Sequence, residues 1–198
     1  MRLYLIRHAE TTHNAAGVVQ GRADIPLSDA GREQSNRLRD FLSTHAIHAF
    51  YSSTLDRAHE TAQIVAAPHQ KEVTKDLRII EMDFGALEGQ AEQVFTDFKK
   101  ARTLPYTEVQ YPDGEHYRDA YIRARNFLEE LKNNHANETI AVISHAAFIR
   151  VILSDLLGVL IEDLYTQIPR IPNTALSIFD ISINGAVAIE LIATKHLD

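Results

Sequence analysis

The chain of 198 residues contains no cysteine. Disulfide scaffolds, cysteine-ligated zinc sites and thiol nucleophiles are thereby excluded. Basic residues are in the minority: 20 Lys and Arg against 27 Asp and Glu leave a formal net charge of -7. Broad nucleic-acid binding needs a basic face, so no nucleic-acid partner is expected. No apolar run approaches the ~20 residues that span a bilayer. Leu3 to Ile6, ahead of Arg7, is too short for a signal-peptide core. No membrane partner is expected, and cytoplasmic residence is the default reading. Repeats and flexible linkers are missing, as are a P-loop, a dinucleotide fingerprint after a strand and an HExxH motif. The histidines show no metal-ligand spacing, so neither a metal nor a cofactor is expected.

What is present is enough for one domain over residues 1–198, with 45% hydrophobic residues to build its core. Leu3-Tyr4-Leu5-Ile6 reads as a strand buried on both faces. Residues 8–27 read as irregular, broken by Gly17, Gly21 and Pro26. Ser28 is the expected N-cap of a helix over about 29–44 that buries Leu38, Phe41 and Leu42. A second strand is expected from His48 to Ser52, then a helix capped by Thr54. A further extended piece is expected near Val73 or Leu77 to Ile80. Residues of about 90–118 read as a small, partly helical insertion. A helix over about 118–133 follows, then a strand from Thr139 to Ile143 and an apolar helix from Ala146 to Leu157. Two β-type runs around 175–181 and 186–192 flank Asn184-Gly185, a hairpin signal. The alternation implies an α/β three-layer sandwich, a mostly parallel central sheet flanked by helices, with the insertion as a cap over the active site. An exposed apolar edge or the C-terminal hairpin offers a surface for a homodimer.

Ligands of such sheets bind beyond the carboxyl ends of the strands. Arg7 and His8 follow the first strand, Ser53 to Arg57 the second, and His145 the strand at 139–143. Three strands therefore aim basic groups at one sheet edge. A guanidinium holds phosphate by parallel hydrogen bonds, and a neutral imidazole nitrogen attacks phosphorus if the other ring nitrogen is held as a donor. His8 is the candidate nucleophile. Arg7 and Arg57 neutralise phosphoryl charge, and an arginine in a first helical turn itself implies a bound anion. His145 reads as a protonated member of the cage, beside backbone N–H groups of the helix start. Glu81 is the candidate proton donor to the leaving oxygen, with Asp83 and Glu88 competing for that role. Asn14 and Gln20 are loop residues placed to touch substrate.

These segments resemble the histidine phosphatase superfamily, also called phosphoglycerate mutase-like. The resemblance rests on Leu5-Ile6-Arg7-His8-Ala9-Glu10-Thr11 with Asn14, on Leu27-Ser28-Asp29-Ala30-Gly31, and on Ser52 to Ala58 continuing to Thr61-Ala62. It continues through Glu81 to Gly89, Gly114-Glu115, and Ser144-His145-Ala146 with Arg150. It implies a phosphorylated His8, a phosphate held by Arg7, Arg57 and His145, an acidic Glu81, and substrate near Asn14 and Gln20-Gly21, without a metal. It implies a small-molecule phosphate ester as partner. The phosphatase branch is favoured. Cofactor-dependent mutases, the alternative, read Glu-Arg-His-Tyr-Gly where this chain has Glu81-Met82-Asp83-Phe84-Gly85, and the basic residues for a second acidic group are expected to be absent. A non-catalytic phospho-ligand module is a third reading, opposed by the presence of both His8 and Glu81. Ala146 and His116 depart from the family pattern, which has glycine and serine there.

Overall fold

The structure, a computed structural model, describes residues 1–105 and 108–198; Tyr106, an aromatic of the insertion, lies outside the described residues. A six-stranded sheet forms the middle layer, in the order β3-β2-β4-β1-β5-β6. Its strands are β1 (Arg2–Arg7), β2 (Ala49–Ser52), β3 (Val73–Lys75), β4 (Thr139–Ser144), β5 (Leu176–Ser182) and β6 (Gly185–Ala193). The first four are mutually parallel, while β5 runs antiparallel to β1 and β6 antiparallel to β5.

Strand β1 shows why the sheet is sandwiched. Its side chains alternate, so Leu3 and Leu5 enter one apolar cluster while Tyr4 and Ile6 enter the other. A strand flanked by cores on both faces must be apolar at every step, which is how this one reads. Helices α2 (Asp29–Leu42) and α3 (Asp56–Ala66) cover the Tyr4 face. Helices α5 (Tyr117–Asn134) and α6 (Ala146–Leu157) cover the Leu3 face. The remaining helices are short: α1 (Thr12–Ala16), α4 (Glu92–Ala101) in the insertion, and α7 (Leu164–Gln167). The described insertion carries Phe95 and Tyr111 into a ring cluster with Phe84, at centroid distances of 4.7 Å for Phe84–Phe95 and 4.9 Å for Phe84–Tyr111. These aromatics are thus the insertion's core, and Phe95 also forms part of the cavity wall beneath it.

Several local expectations are corrected. Phe41 faces outward, 38% exposed, while Leu38 and Leu42 are fully buried. Thr54 does not cap α3: the Asp56 amide donates to the Asp24 carboxylate at 2.9 Å instead, a cap from a distant loop. Of the two places offered for the third extended piece, Val73 forms it as β3, while residues 77–79 form a 3-10 turn. The stretch at 8–27 contains α1, held by a capping box between Thr11 and Asn14. That box competes well with glycine as a breaker, because it satisfies two orphan amides in one short turn.

Candidate active site

Register brings the candidate residues together. Arg7 pairs with Ser144, and Ser52 with Ile143, so β1, β2 and β4 end nearly flush. The His8 amide donates to Ser144 O at 2.9 Å and the Ser53 amide to Ile143 O at 3.0 Å. The residues that follow these strands therefore meet at one edge. Of them, Arg7, His8 and Arg57 line a cavity of about 150 Å³, whereas His145 is not among its lining residues.

The His8 Nδ1–H donates to Ala9 O at 2.7 Å. A carbonyl can only accept, so the tautomer is set and Nε2 keeps its lone pair. Burial, then Arg57 and Arg7, push the imidazole well below its usual range. His145 packs against it, with ring centroids 5.1 Å apart. Burial, then Arg57, also drive His145 well below the ordinary value. The expectation of a protonated His145 is corrected for the free site: a second cation would have to be desolvated among guanidiniums. The two arginines are pinned by carbonyls. Arg7 Nη1 donates to Ile171 O at 2.8 Å; Arg57 donates to Ala23 O and Gly21 O, each at 2.7 Å. Burial lowers both guanidiniums to about 10, with Glu81 opposing. Among the described residues, Nε of both arginines and both ring nitrogens of His145 are buried without a partner. The two Nε–H groups belong to residues that line the void, and the oxygens of a bound anion would satisfy them.

Of the three carboxylates weighed for proton transfer, Glu81 lines the cavity and Asp83 and Glu88 do not. Its Oε1 accepts from the Met82 and Phe148 amides, each at 2.9 Å, and Oε2 from the Ala147 amide at 3.3 Å. The N-cap residue His145 makes no side-chain cap, so Glu81 fills that role for α6. The helix-start amides expected in the anion cage are thus held in part by Glu81. Asp83 binds the Gly85 amide and Arg22, and Glu88 the Arg22 and Phe84 amides. Asn14 and Gln20 both lie on the cavity wall; Thr11 Oγ1 reaches Asn14 Oδ1 at 3.1 Å and Gln20 Oε1 at 2.9 Å. Gly21 also lines it, at φ 51°, where a Cβ would collide with the Glu88 carboxylate.

The profile of the histidine phosphatase superfamily (branch 1) matches residues 3–193. The chain belongs to that superfamily. It is 34% identical over 202 residues to phosphoserine phosphatase 1 of Hydrogenobacter thermophilus, covering 100% of this chain and 94% of that protein. Phosphoserine phosphatase of Entamoeba histolytica, solved in complex with phosphoserine, superimposes with a TM-score of 0.84 at 28% identity, covering 100% of this chain and 99% of that one. The alpha-ribazole phosphatase of Shigella flexneri gives 0.84 at 26%, covering 98% and 97%. The chain is a phosphatase of small phosphorylated metabolites.

Sequence reasoning gave no cavity role to three cations of this histidine phosphatase, although the resemblance included Arg150. Lys99 on α4, Arg150 on α6 and Arg170 after α7 also line the cavity. The basic residues of the mutase pentapeptide are absent as expected, yet the cavity is not without further cations. The charge comes from three separate segments, not from the pentapeptide at Glu81. Phe95 and Lys99, four apart on a helix, were the available signal. His116 instead caps α5, accepting from the Arg118 amide at 3.2 Å, and does not line the cavity. A strut from the C-terminus was also missed. His196 meets Thr174 Oγ1 at 2.9 Å, and the neighbouring Asn173 donates to His8 O at 3.0 Å and Asn14 Oδ1 at 3.2 Å.

Proposed function

We propose that this phosphatase works through a phosphohistidine on His8 and needs no metal. The observation that carries the reading is the fixed His8 tautomer, together with the unpartnered buried Nε–H groups of Arg7 and Arg57 and the unpartnered ring of His145. The Nε2 lone pair attacks phosphorus, and the phosphorus–ester oxygen bond breaks. The leaving oxygen takes a proton from Glu81. Water then attacks the phosphohistidine, yielding its proton to the Glu81 carboxylate, and phosphate departs. Arg7, Arg57 and His145 surround the three non-bridging oxygens. The fixed positive charge of the two guanidiniums supplies what a metal ion would otherwise bring. A phosphoryl dianion would also raise the imidazole of His145, making it a charged donor once substrate is bound. Residues 1–198 act as one domain with the segment at about 90–118 as its cap.

The test is to trap the enzyme during turnover of p-nitrophenyl phosphate in excess chelator. An acid-labile, base-stable phosphoenzyme is expected from wild type and none from His8→Ala. Turnover that stops with chelator, or that proceeds without a phosphoenzyme, overturns the mechanism.

Two accompanying readings have their own support. The cations at Lys99, Arg150 and Arg170 favour mutase-type transfer as a second activity. Absence of 3- to 2-phosphoglycerate isomerisation with a bisphosphate primer removes it. A homodimer through the C-terminal hairpin is supported by edge strand β6, which exposes Val187, Ile189 and Leu191. A monomeric mass by sedimentation removes that one.

A further inference from the structure

The five residues ahead of β5 do more than connect it. Ile171 O holds the Arg7 guanidinium at 2.8 Å, Ala175 O receives the Arg7 amide at 3.1 Å, and the Thr174 amide donates to His8 O at 3.3 Å. Asn173 adds a side-chain grip: its Nδ2 donates to His8 O at 3.0 Å and to Asn14 Oδ1 at 3.2 Å. Both partners can only accept. The two N–H groups of one amide are therefore spent on the backbone of the nucleophile and on a residue of the cavity wall. The segment reaches this grip through a conformation it would not choose. Thr174 is fully buried at φ 55°, in the left-handed region that β-branched residues rarely adopt. Its Oγ1 donates to Asn173 O at 2.8 Å and meets His196 Nε2 at 2.9 Å, and these contacts hold the turn. Strain of this kind persists where the surroundings over-determine it, and it gathers beside functional sites.

The His8–Ala9 peptide is thus clamped at both ends. Its carbonyl is held by Asn173 and Thr174. Its N–H donates to Thr61 Oγ1 at 3.1 Å, and that hydroxyl donates to Arg57 O at 2.7 Å. The next carbonyl, Ala9 O, takes the imidazole Nδ1–H. Two successive peptide units therefore set where Nε2 points. A strand-end carbonyl needs a donor in any protein, and the Thr174 amide alone supplies one. The donor from Asn173 exceeds that need. So does its other N–H: Asn14 Oδ1 already receives the Thr11 amide at 3.2 Å, and Asn173 fills the second lone pair. Asn14 Nδ2, which makes no hydrogen bond among the described residues, is left as a donor at the cavity wall.

We propose that Asn173 is a positioning residue for phosphoryl transfer: it fixes the His8–Ala9 peptide, and through it the line of attack of His8 Nε2, and it holds the Asn14 amide with its Nδ2 donors free for substrate. The proposal rests on the phosphohistidine reading of His8. Asn173 is not on the cavity wall, so it acts through two residues that are. A displaced nucleophile loses its alignment with the phosphorus–oxygen bond that must break. The guanidinium forks that hold the phosphoryl group stay on their own carbonyls, Ile171 O for Arg7 and Gly21 O and Ala23 O for Arg57. The cost of losing Asn173 therefore falls on kcat rather than on KM.

Steady-state and rapid-quench assays with p-nitrophenyl phosphate test it. Asn173→Ala should lose about 10- to 100-fold in kcat and in the rate of phosphoenzyme formation, with KM little changed. Asn173→Asp keeps the shape at a half-buried position but sets a carboxylate against two acceptor oxygens, and it should lose at least as much. His196→Ala cuts the same strut at its far end and is the structural control. It should unfold at lower denaturant and keep kcat near the wild-type value. A kcat near wild type in the Asn173 variants overturns the proposal, and Asn173→Asp carries that test where Asn173→Ala does not fold. A loss in His196→Ala as deep as that in Asn173→Ala overturns it too, as does a change in KM alone, since either marks a merely structural part. In these outcomes wild type still forms its phosphoenzyme and the reading of His8 stands. Wild type that hydrolyses the ester without a phosphoenzyme removes both.

Discussion

The two poles of the cavity are made by different means. The reacting pole stands on strand ends and a helix start, with its arginines locked onto carbonyls at 2.7–2.8 Å and almost no exposure. The distal pole stands on α4, α6 and the segment after α7; Lys99 and Arg150 rest on aromatic faces, and of the two Arg150 also donates to the Pro169 carbonyl. Hydrogen bonds to carbonyls hold a guanidinium in one orientation, as a transition state requires. A ring face holds a cation at a distance but leaves its direction free. The lesson is that rigidity goes where bonds change, and tolerance where the leaving group must enter and depart.

Breaking the reacting pole should damage every ester alike. His8→Ala removes the attacking atom, and a kcat loss of at least ~10⁴-fold is expected on any substrate, by steady-state phosphate release. Glu81→Gln should cost about 10²- to 10⁴-fold on alkyl esters. The loss should shrink for p-nitrophenyl phosphate, whose leaving oxygen needs no proton; equal losses on both would argue that Glu81 matters as the cap of α6 and not as an acid. Arg57→Lys keeps the charge but loses the planar fork that Gly21 O and Ala23 O hold in place, so about 10²-fold in kcat is expected.

The distal pole should show itself through pH instead. Burial, then Arg150, lower the Lys99 amine to about 8, so it is charged below that value and neutral above it. The groups around it are Glu92 on its own helix, Arg150 from α6 and the Tyr165 ring from α7. KM for 3-phosphoglycerate, the substrate of the mutase-type reading, should therefore rise by several-fold between pH 7 and pH 9 in wild type. Lys99→Arg, charged throughout, should give a flat profile. The smallest effect is expected at the strut. His196→Ala removes one hydrogen bond to Thr174, and about 1 kcal/mol of stability by denaturant unfolding is expected to be lost.

The sequence-based reading saw the reacting pole and the sheet because both obey simple periodic rules. Apolar runs set β1 and β4, and each is followed by its basic residue at the strand end. Glu81 could not be chosen over Asp83 and Glu88 by spacing, since that decision depends on the α6 amides, which lie more than sixty residues on. Thr54 looked like a cap because capping chemistry is usually local; here Asp24 supplies it across a loop. Lys99, Arg150 and Arg170 belong to no shared motif. Their meeting is a product of tertiary packing, and no pattern of one segment contains it.

The carbonyl of His8 is gripped by Asn173 and by the amide of Thr174, and the Arg7 amide by Ala175. The first strand thus sits between partners that are made more than a hundred residues later. A growing polypeptide on the ribosome displays its imidazole early yet has no platform to aim it until the last strands emerge. Catalysis should switch on only once residues 173–175 have folded against the first strand, and the long sequence separation of these pairings makes that closure a late step of folding.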